Sequence, residues 1–262
     1  MKRYHFLSGL PRTGSTLLAS ILNQHPSIHV SATSALLDLL VAQANAMQLN
    51  RGLYEITDAQ EIEVYNGMIE SYYKHIDKDI VFDKHRAWPN LINALNKMGR
   101  SNPKIICTNR PVADIVASYI TLINKNPDYP NFIDELITNK NLEINTSNRA
   151  MTIWNDYVQI PYTVLKNAIN NHRSNLLFVN YDDIVTNPSY VINEVCRFFN
   201  IENFEGYNFD NIVNNQTEKD DSGWKLKDLH IIRPQLKKVS IPPEQVIGTE
   251  LTNYFNQFNL VF

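Results

Sequence analysis

Near its start the chain reads RYHFLSGLPRTGSTLLASIL, residues 3–22, and this stretch limits the fold more than any other. RYHFLSG is a short apolar run closed by glycine, the pattern of a buried strand. From Ser15 to Asn23 apolar residues return at helical spacing. Between them, Gly9-Leu10-Pro11-Arg12-Thr13-Gly14 leaves room only for a tight turn. A strand feeding a helix in this way opens a parallel strand-helix-strand layer. The first N–H groups of the helix lack intrahelical partners and point into the turn. Together with the helix dipole they form an anion site. Thr13, Ser15 and Thr16 are expected to add hydroxyl donors, and Arg12 a planar fork for two oxygens of one phosphate.

The rest of the chain repeats the alternation. Asp58–Ile76 reads as an amphipathic helix, residues 79–85 (DIVFDKH) as a second strand, and Pro89–Met98 as a helix opened by proline. Residues 104–110 (KIICTNR) form a third strand, followed by a helix over Pro111–Asn124. A long helix is expected over Asn148–Asn171, kinked at Pro161. A fourth strand over 175–181 (NLLFVNY), a helix over Pro188–Phe199 and a closing helix over Glu244–Phe258 complete the pattern. This predicts an α/β fold of three layers, a central parallel sheet with helices on both faces, and ligands at the carboxyl ends of the strands. With no repeat or linker, residues 1–262 read as one domain. Residues 201–243 are polar and irregular, as expected of a lid.

The net charge of −3 provides no general attraction to nucleic acid or anionic membrane, so an anion site must be built locally. No apolar run reaches the roughly 20 residues of a membrane helix, and no signal peptide is expected. Cys107 and Cys196 lie in apolar stretches and do not make a disulfide framework, which predicts a reducing, cytoplasmic setting. No motif sets an oligomeric state.

The glycine spacing of the first turn is that of a nucleotide P-loop, but Ser15 stands where the P-loop lysine belongs. Without that lysine a triphosphate is poorly served. GLPRTGSTLLASILNQHP resembles the 5′-phosphosulfate loop of the sulfotransferases that use 3′-phosphoadenosine 5′-phosphosulfate (PAPS). The resemblance runs from about Tyr4 to Phe199. It implies a P-loop-like fold, PAPS as co-substrate held by Arg12, Thr13, Gly14, Ser15 and Thr16, and no metal. It implies further that Arg110 and Ser118, in KIICTNRPVADIVASYI, bind the 3′-phosphate, and that Tyr181, in NYDDIVTNP, lies near the adenine. Lys225, Lys227, Arg233, Lys237 and Lys238 occupy the chain position where the family places a loop over the 3′-phosphate.

Sulfuryl transfer needs a base for the acceptor proton and cations over the leaving oxygens. Arg12 suits the second role. VFDKHRAWP, at a strand's carboxyl end, offers Asp83, Lys84 and His85. His85 is the first choice of base, since an imidazole pKa of about 6.5 suits proton abstraction near neutrality. Lys84 would stabilise the sulfuryl oxygens, and Asp83 is the competing base. The small-molecule branch of the family carries Lys-Thr-His here, so the spacing differs by one residue. The branch resembling tyrosylprotein sulfotransferases places a glutamate shortly after a pair like His25-Pro26, but no acidic residue precedes Asp38. His25, His29 and His230 read as structural or surface histidines, and Trp88 and Trp154 as core. The acceptor is left open: its pocket is expected from residues 31–80 and 126–146, which carry no motif. Two other readings compete. One is a kinase with Thr16 on Mg²⁺ and Asp83 as its carboxylate. The other is a nucleotide-binding module without chemistry.

Overall fold

The structure is a computed structural model and describes residues 2–50, 52–53, 55–100, 102–214, 225–226, 228–238 and 240–262. The strands β1 (Arg3–Gly9), β2 (Ile28–Thr33), β3 (Ile80–Lys84), β4 (Ile105–Asn109) and β5 (Leu176–Asn180) form one sheet. Every pairing is parallel, in the order β2-β3-β1-β4-β5. The chain passes to one side of β1 to make β2 and β3, then to the other side for β4 and β5. That reversal opens a crevice at the carboxyl ends of β1, β3 and β4.

The strands alternate strictly between two cores. Phe6, Val81, Ile105, Cys107 and Leu176 face one. Leu7, Ile80, Phe82, Ile106 and Val179 face the other. The second face is covered by α1 (Ser15–Leu22), whose Leu18, Ala19, Ile21 and Leu22 are buried there. The first is covered by α2 (Leu36–Asn50), α3 (Asp58–Tyr72), α4 (Ile92–Lys97), α5 (Val112–Lys125), α6 (Phe132–Asn139), α7 (Thr146–Ile153) and α8 (Gln159–His172). Then α9 (Tyr181–Thr186) and α10 (Pro188–Phe199) return to the second face, and α11 (Pro243–Asn256) packs on the first. The helix starts follow local chemistry. Thr57 and Gln60 form a reciprocal capping box at α3, and Asn131 and Asn145 cap α6 and α7. Cys107 and Cys196 are buried and free, and among the described residues no helix is long and apolar enough to cross a membrane.

Three expectations are corrected. The sheet has a fifth strand, β2, whose residues IHVSAT mix small and polar side chains because it pairs only with β3. The long helix is divided: α7 and α8 are joined by a π-helical turn over Trp154–Val158. The distortion lies before Pro161, because proline removes an N–H and crowds the carbonyl one turn earlier, so the preceding turn widens. The segment 181–186 continues as a short helix directly from β5.

Gly9 is required by both backbone and space. Its φ is 146°, and a Cβ there would overlap the Thr108 hydroxyl and carbonyl oxygens. Gly67, inside α3, has nothing within 4 Å of an added Cβ. Gly9→Ala is therefore expected to lower stability by about 1–3 kcal/mol or more. Gly67→Ala should raise it by roughly 0.5–1 kcal/mol. Thermal melts of the two variants should move in opposite directions; an unchanged melt for Gly9→Ala would contradict this close approach.

Candidate functional site

The turn after β1 is shaped by two left-handed residues, Arg12 (φ 60°) and Gly14 (φ 82°). For arginine this conformation is costly, and such strain concentrates at functional sites. It swings the guanidinium across the crevice. Arg12 Nε donates to Ser118 Oγ at 3.3 Å, Nη1 donates to the Leu229 carbonyl, and the guanidinium lies 5.9 Å from the Tyr119 ring. No acidic residue stands in the first turn of α1 to compete for its N–H groups. Ser15 and Thr16 line the cavity. Thr13 does not supply the expected hydroxyl. Its Oγ1 is fully buried, donates to the Leu10 carbonyl at 2.6 Å and meets Thr108 Oγ1 at 2.7 Å, so it braces the turn from behind.

Strand alternation decides what the end of β3 can do. Asp83 and Lys84 are neighbours and therefore face opposite sides of the sheet. Lys84 falls on the α1 side. It is 7% exposed, and its Nζ donates to Thr16 Oγ1 at 2.9 Å. Thr16 Oγ1 also lies 3.2 Å from His230 Nδ1, in the tail. A cation from β3 thus reaches the turn before α1, which has no lysine of its own.

Asp83 falls on the opposite side and is 2% exposed. Its carboxylate accepts from Ser34 Oγ at 2.5 Å, Trp88 Nε1 at 2.7 Å and the Tyr73 hydroxyl. Burial raises its pKa, and the three donors hold it back. It does not line the cavity. The expectation that Asp83 is a competing base is therefore corrected: its oxygens are spent inside the fold.

His85, one residue past β3, lines the cavity. Its Nδ1 accepts from the Ala87 N–H at 3.2 Å, and its Nε2 lies 3.9 Å from Asp38 Oδ1. Burial lowers the imidazole pKa, the Asp38 and Asp83 carboxylates raise it, and Arg86 lowers it.

The second predicted phosphate-binding pair is Arg110 with Ser118, and Ser118 Oγ already accepts from Arg12 Nε. Arg110 follows β4 and is 8% exposed. It sits 4.5 Å above the Tyr181 ring, and its Nη2 reaches Asp114 Oδ1 at 3.3 Å. Tyr181 in turn packs on the turn: a Cβ at Gly14 would lie 2.8 Å from its Cδ2. Arg12, Gly14, Ser15, Thr16, Lys84, His85, Arg110, Ser118 and Tyr181 thus line one cavity of about 670 Å³, within the range of small-molecule sites.

Tail residues form the far wall. Leu226 and Leu229 are buried in the first core, Ile232 and Leu236 pack on the second, and Arg233 and Lys237 line the cavity. Lys225 and Lys238 instead pair with Glu135 and Asp182 at 2.5 and 2.7 Å. Lys227 and residues 215–224, in the expected lid, lie outside the described residues. His230, expected to be a structural or surface histidine, reaches Thr16, 214 residues away. Trp88 and Trp154 are core, as expected.

Comparison with known proteins bears on the fold and the family. Curated protein sequences yield no match. Among solved structures, the chain is similar to mouse sulfotransferase SULT7A1 complexed with PAP, at 14% identity and a TM-score of 0.53 over 97% of this chain and 82% of that one. It is also similar to a sulfotransferase from Alicyclobacillus acidocaldarius, at 14% identity and a TM-score of 0.52 over 98% and 93% of the two chains. At that identity the likeness establishes a shared fold. The profile described as "Sulfotransferase family" matches residues 6–206, which take in the turn before α1, the end of β3 and Arg110 with Ser118. With most of its length matched by that profile, the chain belongs to the sulfotransferase family.

Proposed function

We propose that the protein moves the sulfuryl group of PAPS to an acceptor by in-line displacement. The observation that carries this reading is one cavity lined by the turn before α1, by Lys84 and by Arg110 with Ser118. The turn before α1, with Arg12 and Lys84, suits the 5′-phosphosulfate. Arg110 and Ser118 suit a second phosphate, the one that distinguishes PAPS from adenosine 5′-phosphosulfate. The PAP bound to the mouse neighbour is the product such a donor leaves.

In this reading the acceptor attacks sulfur while the bond from sulfur to the 5′-phosphate oxygen breaks, and the electron pair leaves on that oxygen. The N–H groups at the start of α1 and the Arg12 guanidinium receive the growing charge. Lys84, held at Thr16, steadies the sulfuryl oxygens. Most of the rate comes from alignment and preset charge, as in phosphoryl transfer. Tyr181, beneath Arg110 and against Gly14, borders the space left for the adenine. The tail wall closes the cavity over the nucleotide.

A ligand that binds only the folded state adds about 2.7 kcal/mol of stability at a hundredfold excess over its dissociation constant. PAP (3′-phosphoadenosine 5′-phosphate) is expected to raise the melting temperature in the absence of Mg²⁺, and Mg·ATP to have little effect. Stabilisation by Mg·ATP alone would overturn the proposal in favour of a kinase.

Arg110→Ala tests the second end. A charge-assisted hydrogen bond contributes about 1.5–3 kcal/mol. The variant should lose roughly tenfold or more in affinity for PAP relative to its loss for adenosine 5′-phosphate. Equal losses for both nucleotides would remove Arg110 from the 3′-phosphate site.

A further inference from the structure

Of the 15 residues of α2, only Asp38 is charged. The inward residues Leu36, Leu37 and Leu40 are buried in the first core. The sides that face solvent are apolar as well. Leu39 and Val41 are exposed, and Leu49 is 83% exposed. Leu53, in the turn that follows, is 74% exposed, and Val64 on α3 is exposed too. A helix that is apolar on every side is ordinarily covered on every side. Exposed apolar surface that the core does not use marks a place of contact.

The helices α2 and α3 form an antiparallel hairpin. Ala35 N–H, just before α2, donates to the Tyr72 hydroxyl at the end of α3, at 3.3 Å. Toward the other end of the hairpin a groove of about 770 Å³ lies between the two helices. Ala46, Met47, Ile56, Ala59 and Val64 give it an apolar lining, and the exposed carboxylates of Glu55 and Glu63 border it. The groove is preformed. Met47 packs on the first core, and the capping box of Thr57 and Gln60 fixes the start of α3, with Gln60 itself in the groove wall. Leu39, Gln43 and Ala46, at i, i+4 and i+7, share one face of α2, so the apolar surface continues from the groove to Leu39. The groove shares no lining residue with the cavity at the strand ends. Its surroundings are acidic. Residues 36–72 contain Asp38, Glu55, Asp58, Glu61, Glu63 and Glu70, and the one cation in that stretch of sequence, Arg51, lies outside the described residues.

We propose that the groove between α2 and α3 is a docking site for a basic amphipathic helix of a partner protein. The inference does not depend on the sulfuryl-transfer reading. An apolar groove between two helices accepts a third helix by its apolar face, with anchors at i, i+4 and i+7. Such anchors span about 10 Å, the same run that Leu39, Gln43 and Ala46 make along α2. Met47, on the groove floor, adapts to side chains of different shape. Lysines or arginines on the flanks of the partner helix would meet Glu55 and Glu63 with their charged heads and lay their apolar stems over the groove edge. The apolar contact supplies most of the affinity, and the carboxylates select the sign of the partner and speed its approach. The same carboxylates decide against two other covers. A second copy of this chain would set acid against acid, and an anionic membrane would be repelled for the same reason.

The test uses the full chain and a fluorescently labelled synthetic helix of leucine and lysine, as long as α2, with its leucines on one face. One control peptide has the same composition with the leucines spread around the helix. The other has glutamate in place of every lysine. Fluorescence anisotropy is expected to show saturable binding of the first peptide, about tenfold or more tighter than either control and weakening as salt is added. The double substitution Glu55→Lys, Glu63→Lys should weaken that binding by about tenfold or more, and Val64→Glu should weaken it to a similar extent. Both variants change exposed side chains and should melt close to the wild-type temperature. Failure to bind the first peptide, equal binding of either control, or undiminished binding by either variant would overturn the proposal. A dimer of the free chain that Val64→Glu dissociates in the ultracentrifuge would give the face to a second copy, and binding to phosphatidylcholine vesicles that Val64→Glu abolishes would give it to a membrane. Each of these results would overturn the proposal as well.

Discussion

The buried carboxylate of Asp83 joins three parts of the chain that sequence alone keeps apart. Ser34 precedes α2, Tyr73 follows α3 and Trp88 opens the turn before α4, and all three donate to it. An acidic group this deep is tolerated because each donor offsets its lost hydration. Removing the acceptor would leave two hydroxyls and an indole N–H unsatisfied together. The carboxylate also marks the plane of the sheet. With Asp83 committed to one face, period two sends Lys84 to the other, toward α1 and Thr16.

That division also brings a cation to the first turn, which has no lysine of its own. A P-loop lysine would extend from the turn itself. Here the turn's helix starts at Ser15, and the nearest buried cation arrives from β3, which pairs with β1 so that Leu7 lies opposite Lys84. Register therefore places the ammonium. Arg12, strained into the left-handed region, spans from the turn to Ser118 and the Leu229 carbonyl. The cavity has its cations preset on two strands and one turn, which suits a reaction whose demand is charge stabilisation with little rearrangement.

Much of this was legible before any coordinates. The turn after the first strand, and Arg110 with Ser118 after β4, were read from residues at strand ends, and both face one cavity. Their placement on one cavity follows because local pattern and fold agree there. β2 escaped notice because a short edge strand needs only one apolar face, and IHVSAT shows just two large apolar residues. The role of Asp83 was misread because a carboxylate at a strand end looks the same from sequence whether it faces the cavity or the core. Strand parity against Phe6 and Phe82 separates the two. Thr13 turned inward for a comparable reason: the left-handed residues on either side rotate its side chain away from its neighbours'. The Nδ1 contact of His85 depends on one backbone N–H, that of Ala87, and the contacts of Arg12 and Thr16 with the tail cross more than 200 residues. No local pattern encodes such contacts.

The central claim is that one nucleotide spans both anion ends of the cavity, and a crystal structure of the protein with PAP tests it most directly. The account predicts the 5′-phosphate at the N-terminus of α1 within hydrogen-bond reach of Arg12, the 3′-phosphate on Arg110 and Ser118, and the adenine beside Tyr181. A nucleotide bound in the reverse direction, or with its 3′-phosphate in solvent away from Arg110, would contradict it.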